Sequence, residues 1–500
     1  MHISAHIART FIAGLLLATL WVVWRYAPSE ANLFQLWQDP WIAHTISFSL
    51  KQAVLSTLIS VACALPLLWA ALFGRWQWLR HLLPLTTIIP TLIFILALIQ
   101  ISQSVTSWLD SGWRLRGFHG IIIAHVALNA PLIALLLLPS AEAVPEHYRR
   151  QRLLLRLPRL TYLFQVVLPL LRPALTHAAG LVFMLCFTSF TVLLVLGGNP
   201  RNANLELAIY QAVKYEFNLP LAAQLALVQT LMLLVLLALL PSKAPTLRHQ
   251  SPAMRTPTLA ATCAESIAIC IMLLPLLVIA INAVAHFNPQ PPIALWRATG
   301  NTFLLAAIVA PCATALHILL AKTTIGRPIL SKFNRQLIHA IYLAPVLILC
   351  LGLFLLLKPW TNAFRHPLIL NTLLLILICQ PYLYKLSYPR WISHGARYQR
   401  LTRNLHLSPW RSLFQVDLPA LTPLLAKVCG FAGIIVAGEV AIISFFGGHN
   451  VQTLASYLVA ELGHYRQAQA WQTTTVFILS AALLFILPQL IVWLWQRRKR

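Results

Sequence analysis

A chain of 500 residues, 59% of them hydrophobic and only 10% charged, carries more apolar surface than a water-soluble fold can bury. The class left is an all-α polytopic membrane protein. A net charge of +26 would point a soluble chain towards nucleic acid. Here the basic residues sit in short loops between apolar runs, where the positive-inside rule explains them without any polyanion.

Hydropathy predicts roughly twelve spans of about 20 residues. In the first half they lie near 10–27, 46–73, 82–102, 119–139, 174–196 and 220–241. In the second half they lie near 260–286, 300–321, 338–357, 368–384, 424–446 and 473–496. The N-terminal run lacks a small-residue cleavage site and reads as the first span rather than a signal peptide. The stretch PSKAPTLRHQSPAMRTP, from Pro241 to Pro257, has the Pro, Ser and basic content of a linker. The chain therefore divides into a first repeat at 1–241, a cytoplasmic linker at 242–258 and a second repeat at 259–500. Eight cysteines (Cys63, Cys186, Cys263, Cys270, Cys312, Cys350, Cys379, Cys429) fall in or beside apolar segments without CxxC spacing. They read as small buried hydrophobes, not as disulfides or metal ligands. Trp21, Trp24, Trp113, Trp493 and Trp495 near span ends read as interfacial anchors.

The most specific feature is a duplication. The stretch YRRQRLLLRLPRLTYLFQVVLPLLRPALTHAAG, from Tyr148 to Gly180, returns 250 residues later as YQRLTRNLHLSPWRSLFQVDLPALTPLLAKVCG, from Tyr398 to Gly430. The two 33-residue copies agree at 14 positions without a gap. Matches at Tyr, Arg, Gln, Pro and Gly exclude chance pairing of leucines. The same offset pairs Pro131 with Pro381 and Gly197-Gly198 with Gly447-Gly448.

Charge sets the orientation. With the duplicated loops (140–173 and 389–423) in the cytoplasm, alternation puts 26 of the 37 lysines and arginines inside, against nine outside and two at span ends. Both termini are then cytoplasmic. Six spans per repeat is an even number, so the repeats are parallel, related by a pseudo-two-fold along the membrane normal.

A cytoplasmic connection of about 35 residues is long for joining two spans. In the second copy Ser408-Pro409 is a helix start, with a serine cap and proline at the first helical position. Trp410, Leu413 and Phe414 follow at helical spacing, and Leu418-Pro419 ends the segment. The first copy uses Pro158, Leu160, Leu163, Phe164 and Leu168-Pro169. A short helix, turn and short helix with one aromatic face either packs beneath the protein's own spans or docks a cytoplasmic partner. Two copies would dock a two-fold partner.

At these residues the chain resembles the permease subunits of binding-protein-dependent ABC importers. Their cytoplasmic loop carries Glu-Ala-Ala, three residues, a Gly, and Leu-Pro ending thirteen residues after the Gly. Counted back from Pro169, the Gly and Glu positions are Arg156 and Arg150; from Pro419 they are His406 and Arg400. Tyr148, Tyr398, the Phe-Gln-Val, the Leu-Pro, Ala130-Pro131, Gln380-Pro381-Tyr382, Gly438-Glu439 and Gly447-Gly448 look like the family. No Glu-Ala-Ala survives in either copy, and a side chain at a positive-φ turn carries a conformational cost.

The resemblance covers nearly the whole chain, and at this length it looks most like fused permeases of the thiamine and iron(III) group. It implies two copies of an ABC ATPase subunit, a periplasmic solute-binding protein, membrane lipid as surroundings and the bacterial inner membrane as location, with no nucleic acid. It implies ATPase docking at Tyr148, Arg150, Arg156, Leu157, Phe164 and Pro169, and at Tyr398, Arg400, His406, Leu407, Phe414 and Pro419.

No catalytic chemistry is legible. There is no GxxxxGKS/T phosphate loop, carboxylate pair, HExxH or nucleophile elbow, so the chain reads as non-enzymatic and without cofactor or metal. Polar groups inside spans are the pathway candidates. Glu439, at the position equivalent to Ser189, either lines the pathway or bonds internally. Glu265 near a span end reads as interfacial. Asn129, Gln380 and Tyr382 flank kinking prolines and serve packing or substrate. The expected function is the channel of an ATP-driven importer. A secondary transporter with two six-span repeats and a membrane scaffold are the alternatives.

Overall fold

The computed structural model describes residues 2–27, 38–73, 83–84, 89–110, 114–142, 148, 152, 154–198, 200–239, 259–288, 290–361, 365–447 and 451–498. Among these residues the regular structure is helical, with no strand. In lipid each backbone N–H and C=O must find its partner inside the segment, so apolar runs of span length become helices.

The first half contains α1 (His2–Tyr26), α2 (Pro40–Phe73), α3 (Thr91–Trp108), α4 (Gly117–Glu142) and the short α5 (Arg159–Tyr162). A π-helical turn (Leu163–Val167) leads into α6 (Leu168–Phe187), then α7 (Thr191–Leu196), α8 (Leu205–Lys214) and α9 (Leu219–Leu239). The second half opens with α10 (Leu259–Ala268), a π-turn (Ile269–Leu273), α11 (Leu274–Ala285), α12 (Ile293–Lys322), α13 (Pro328–Leu343) and α14 (Val346–Leu357). It continues with α15 (Pro367–Asn404), α16 (Pro409–Ser412), a π-turn (Leu413–Asp417), α17 (Leu418–Gly438), α18 (Ala441–Phe446), α19 (Leu454–Gly463) and α20 (Gln467–Arg498). Among the described residues, eleven helical paths are long and apolar enough to cross a membrane, or twelve if the bent pair α13–α14 counts as one. The expected number of spans holds; several of their courses do not, and the spans expected at 174–196 and 424–446 break after Phe187 and Gly438.

The span expected at 338–357 is bent by 94° between Leu343 and Val346. Pro345 holds Ala344 in an extended conformation (φ −70, ψ 120), which no helix can continue. The span expected at 368–384 runs on as α15 for 38 residues, through Pro381 and Pro389. At about 1.5 Å per residue that is ~57 Å, nearly twice a bilayer's hydrocarbon core, so one end of α15 stands clear of the lipid.

By contact the chain forms two compact units that cut across the sequence halves. The C-terminal unit joins 283–500 with 1–31 and 209–227; the N-terminal unit joins 32–208 with 228–282. Thus α1 packs on α14, α12 and α13, while α10 packs on α2. Where α1 crosses α14 the approach is close. A Cβ added at Gly352 would lie 2.5 Å from Thr19 Cβ and 2.8 Å from its carbonyl oxygen. The buried Arg9 guanidinium donates to Leu320 O at 3.0 Å, meeting an end carbonyl of α12 where a cation is favourable. Trp391, Trp471, Phe445, Phe446 and Phe477 fill this unit's core, and Phe94 and Phe187 that of the N-terminal unit.

Candidate functional site

The duplicated loops fold alike, residue for residue at the 250-residue offset. In the first, Leu157 N–H donates to Arg152 O at 3.1 Å; in the second, Leu407 N–H donates to Thr402 O at 3.1 Å. Both bonds close a turn whose inner residue has positive φ: Arg156 at 49° and His406 at 48°. These are the two positions counted as the family's glycine. The left-handed turn is kept without glycine, at a cost of roughly 1–2 kcal/mol each. Both side chains are exposed. Tyr162 N–H then donates to Pro158 O, and Ser412 N–H to Ser408 O, starting the short helices α5 and α16. As the spacing predicts, Ser408 Oγ accepts the Arg411 N–H at 3.3 Å.

One expectation fails here. Leu168-Pro169 and Leu418-Pro419 do not end the segment: each short helix passes through a five-residue π-turn directly into the following span. Leu418 N–H reaches back to Leu413 O, one residue further than in an α-helix. Pro419 comes next with no N–H to place, and the widened turn accommodates it.

The turn also aims the aromatic residues. Phe164 is 56% exposed and Phe414 61%, and Trp410 stacks on Phe414 with centroids 6.2 Å apart. Leu154, Leu155, Leu401 and Leu405 are exposed beside them. This apolar surface stands on the loop, and Pro169 and Pro419 are exposed at its edge. Leu157, Leu407, Tyr148 and Tyr398 are half-buried at the loop's root. Arg150 lies outside the described residues, and Arg400 sits within α15.

What fastens the second loop escaped the sequence reading. Asp417, at the end of its π-turn, has a side chain only 3% exposed and pairs with Lys322 Nζ, the last residue of α12. His394 Nε2, from α15, lies 3.1 Å from Asp417 Oδ1. Lys322 Nζ also donates to Ser412 Oγ at 2.9 Å. One carboxylate thus ties the loop to two long helices. The first copy has Val167 at this place and Tyr162 in place of Ser412; there the Arg152 guanidinium lies 5.7 Å from the Tyr162 ring centre. A lone carboxylate among 11 acidic residues, opposite a valine in the repeat, was the available signal.

The pathway candidates separate into two kinds. Asn129 and Gln380 are buried, with Asn129 Nδ2 3.4 Å from Cys186 Sγ and Gln380 Nε2 donating to Ala313 O and Ile376 O at 3.0 Å. Ser189 and Glu439 are half-buried at breaks between α6 and α7 and between α17 and α18, again 250 residues apart. Glu439 Oε1 accepts the N–H groups of Ala441 at 2.9 Å and Ile442 at 3.3 Å, capping α18. In the N-terminal unit the buried Asn204 instead meets the carbonyls at the end of α6, donating to Ser189 O at 2.9 Å and Phe187 O at 3.2 Å. Glu265 is buried in α10.

Residues 41–246 match the family described as the inner membrane component of binding-protein-dependent transport systems. The chain is 30% identical to the thiamine transport system permease protein of Haemophilus influenzae, over 95% of both chains. The corresponding proteins of Salmonella typhimurium and Escherichia coli are also 30% identical, covering 94% and 96% of this chain and 93% and 94% of their own. A sulfoquinovosyl glycerol permease of Agrobacterium fabrum is 26% identical over 39% of the chain and 67% of its own length. These relatives are transport permeases, not enzymes, and a component of this kind works with an ABC ATPase and a periplasmic binding protein. Neither the secondary transporter nor the scaffold is favoured. With similarity running the length of the chain, the protein belongs to the family of multi-pass inner-membrane permease subunits of binding-protein-dependent ABC importers, with both permease halves fused.

Proposed function

We propose that this permease moves thiamine into the cytoplasm, driven by two copies of its ATPase, one docked on each duplicated loop. The cargo reading is supported by 30% identity to permeases named for thiamine over nearly the whole chain. The observation that carries the docking reading is the paired geometry, a positive-φ turn followed by a phenylalanine more than half exposed, repeated at one offset. Phe164 and Phe414 are the anchors. Tyr148, Arg156, Leu157 and Pro169, with Tyr398, His406, Leu407 and Pro419, shape the surface around them, and Arg150 and Arg400 meet the partner through charge. The repeats at 1–241 and 259–500 each supply six spans, joined by the linker at 242–258, and both termini lie in the cytoplasm. Nucleotide-driven closure of the ATPase pair moves the loops, and the halves alternate access to a path for which Glu439, Ser189, Asn129 and Gln380 are the candidate lining residues.

The test is reconstitution of the chain with its ATPase and binding protein in proteoliposomes, scored by uptake of labelled thiamine and by cross-links from cysteines at 164 and 414. Uptake with an ATPase subunit captured at each position is the expected result. No thiamine uptake refutes the cargo, and capture at one position only refutes the two-site docking. Cysteines at Arg152, Arg248 and Arg403 should label from the cytoplasm, and those at Arg114 and Glu461 from the periplasm. Periplasmic labelling of either loop overturns the orientation.

A further inference from the structure

Two interruptions of helical backbone and one proline-bearing stretch of α15 lie in the C-terminal unit. Tyr342 is the residue before last of α13, at the 94° bend into α14. Tyr382 follows Pro381 within α15, and its ring stands edge-on to that of Tyr342, centroids 5.9 Å apart. Glu439 occupies the break between α17 and α18, and α18 packs on α15, the helix that carries Tyr382. Irregular backbone at membrane depth is tolerated where it is buried in protein or lines a solvated cavity, and discontinuous helices mark substrate sites in transporters. Tyr382 is 38% exposed, while Tyr342 and Glu439 are half-buried, so the cluster is reachable.

Helix capping explains only part of this carboxylate. Among the described residues both hydrogen bonds it accepts fall on Oε1, and no lysine or arginine pairs with it. An ionised group at that depth is expensive without a counter-charge. The equivalent places in the other repeat are Leu92, Leu132 and Ser189, with neither acid nor aromatic ring. The acid and the rings thus occur together, in one unit.

We propose that Glu439, Tyr342 and Tyr382 form a transit site for an organic cation, the carboxylate meeting its charge and the tyrosine rings its flat face. This rests on the thiamine reading, whose cargo carries a fixed positive charge on an aromatic ring. One carboxylate and two rings attract a cation moderately, as a passage requires: favourable enough to enter and weak enough to leave. Glu439 keeps its cap through Oε1 and offers Oε2 to the cargo.

The experiment uses the complete importer in proteoliposomes with labelled thiamine, measuring thiamine moved per ATP hydrolysed. Glu439→Gln retains an acceptor oxygen for the α18 N–H groups and removes the charge; uptake per ATP should fall about tenfold. Tyr382→Leu should lower it about fivefold, and Tyr382→Phe, which keeps the ring, should lose less than the leucine variant. ATPase docking and binding-protein-stimulated hydrolysis should persist in all three. If Glu439→Gln does not assemble, Tyr382→Leu decides, since it leaves the α18 cap intact. A wild type that moves thiamine beside variants that move it equally well overturns the site alone. A wild type that moves no thiamine overturns the cargo reading and this site with it.

Discussion

Replacing Asp417 by valine would copy into the second loop the residue that the first loop carries at Val167. In the second loop this should be damaging. The Lys322 side chain is 14% exposed and that of His394 9%, so removing the carboxylate strands a nearly buried ammonium. Breaking a buried pair by deleting one partner costs about 3–5 kcal/mol. Lys322 keeps its bond to Ser412 Oγ and some access to water, which places the expected loss near ~3 kcal/mol. At about 2–4 °C per kcal/mol for a unit of this size, thermal unfolding of the purified chain should drop by roughly 6–12 °C. Adding Lys322→Met removes the stranded charge and should recover most of the loss, so a double-mutant cycle should report a coupling of about 2–3 kcal/mol. In the reconstituted importer, Asp417→Val should also lower transport per ATP, because the loop is no longer tied to α12 and α15. A single variant that melts within about 1 °C of wild type would refute the reasoning, as would a cycle with no coupling.

Phe164→Ala and Phe414→Ala should each weaken co-purification of the ATPase by about 2–4 kcal/mol, and the double variant more; unchanged yield in the double variant would return both rings to simple packing. His406→Gly should relieve the left-handed backbone and stabilise the chain by about 0.5–1 kcal/mol, whereas His406→Val should destabilise it, read by thermal unfolding. If valine is tolerated as well as glycine, the positive φ is not what the position requires. Gly352→Ala puts a methyl against the Thr19 backbone and should cost about 1–3 kcal/mol by forcing α1 off α14. Normal stability in that variant would mean that the two helices can separate freely.

The loops were legible because their instructions are local. Ser408-Pro409 starts a helix wherever it stands, and the match of Phe164 with Phe414 and of Leu157 with Leu407 sits at one constant offset. The count of spans was legible for a comparable reason, since each apolar run must satisfy its own backbone in lipid. Where local rules competed, the reading failed. Leu-Pro after a short helix predicts a stop, yet the π-turns at Leu163–Val167 and Leu413–Asp417 carry the chain through. The span expected to end near 384 instead continues as α15 past Pro381 and Pro389 to Asn404.

Hydropathy, charge asymmetry and repetition thus determined the membrane class, the duplication and the positions of the two duplicated loops. Each depends on residues close in sequence and on the solvent that surrounds them. The tertiary structure alone decided that α1 packs with the second half's helices and α10 with the first's. Apolar helices in lipid look alike in sequence, and only close fits such as Gly352 against Thr19 choose their neighbours. It also decided that Lys322, His394 and Asp417 converge on one loop, and that Tyr342 meets Tyr382 on a helix that packs against α18, just after Glu439. Those residues come from separate helices, and nothing in their sequence spacing brings them together before the chain is folded.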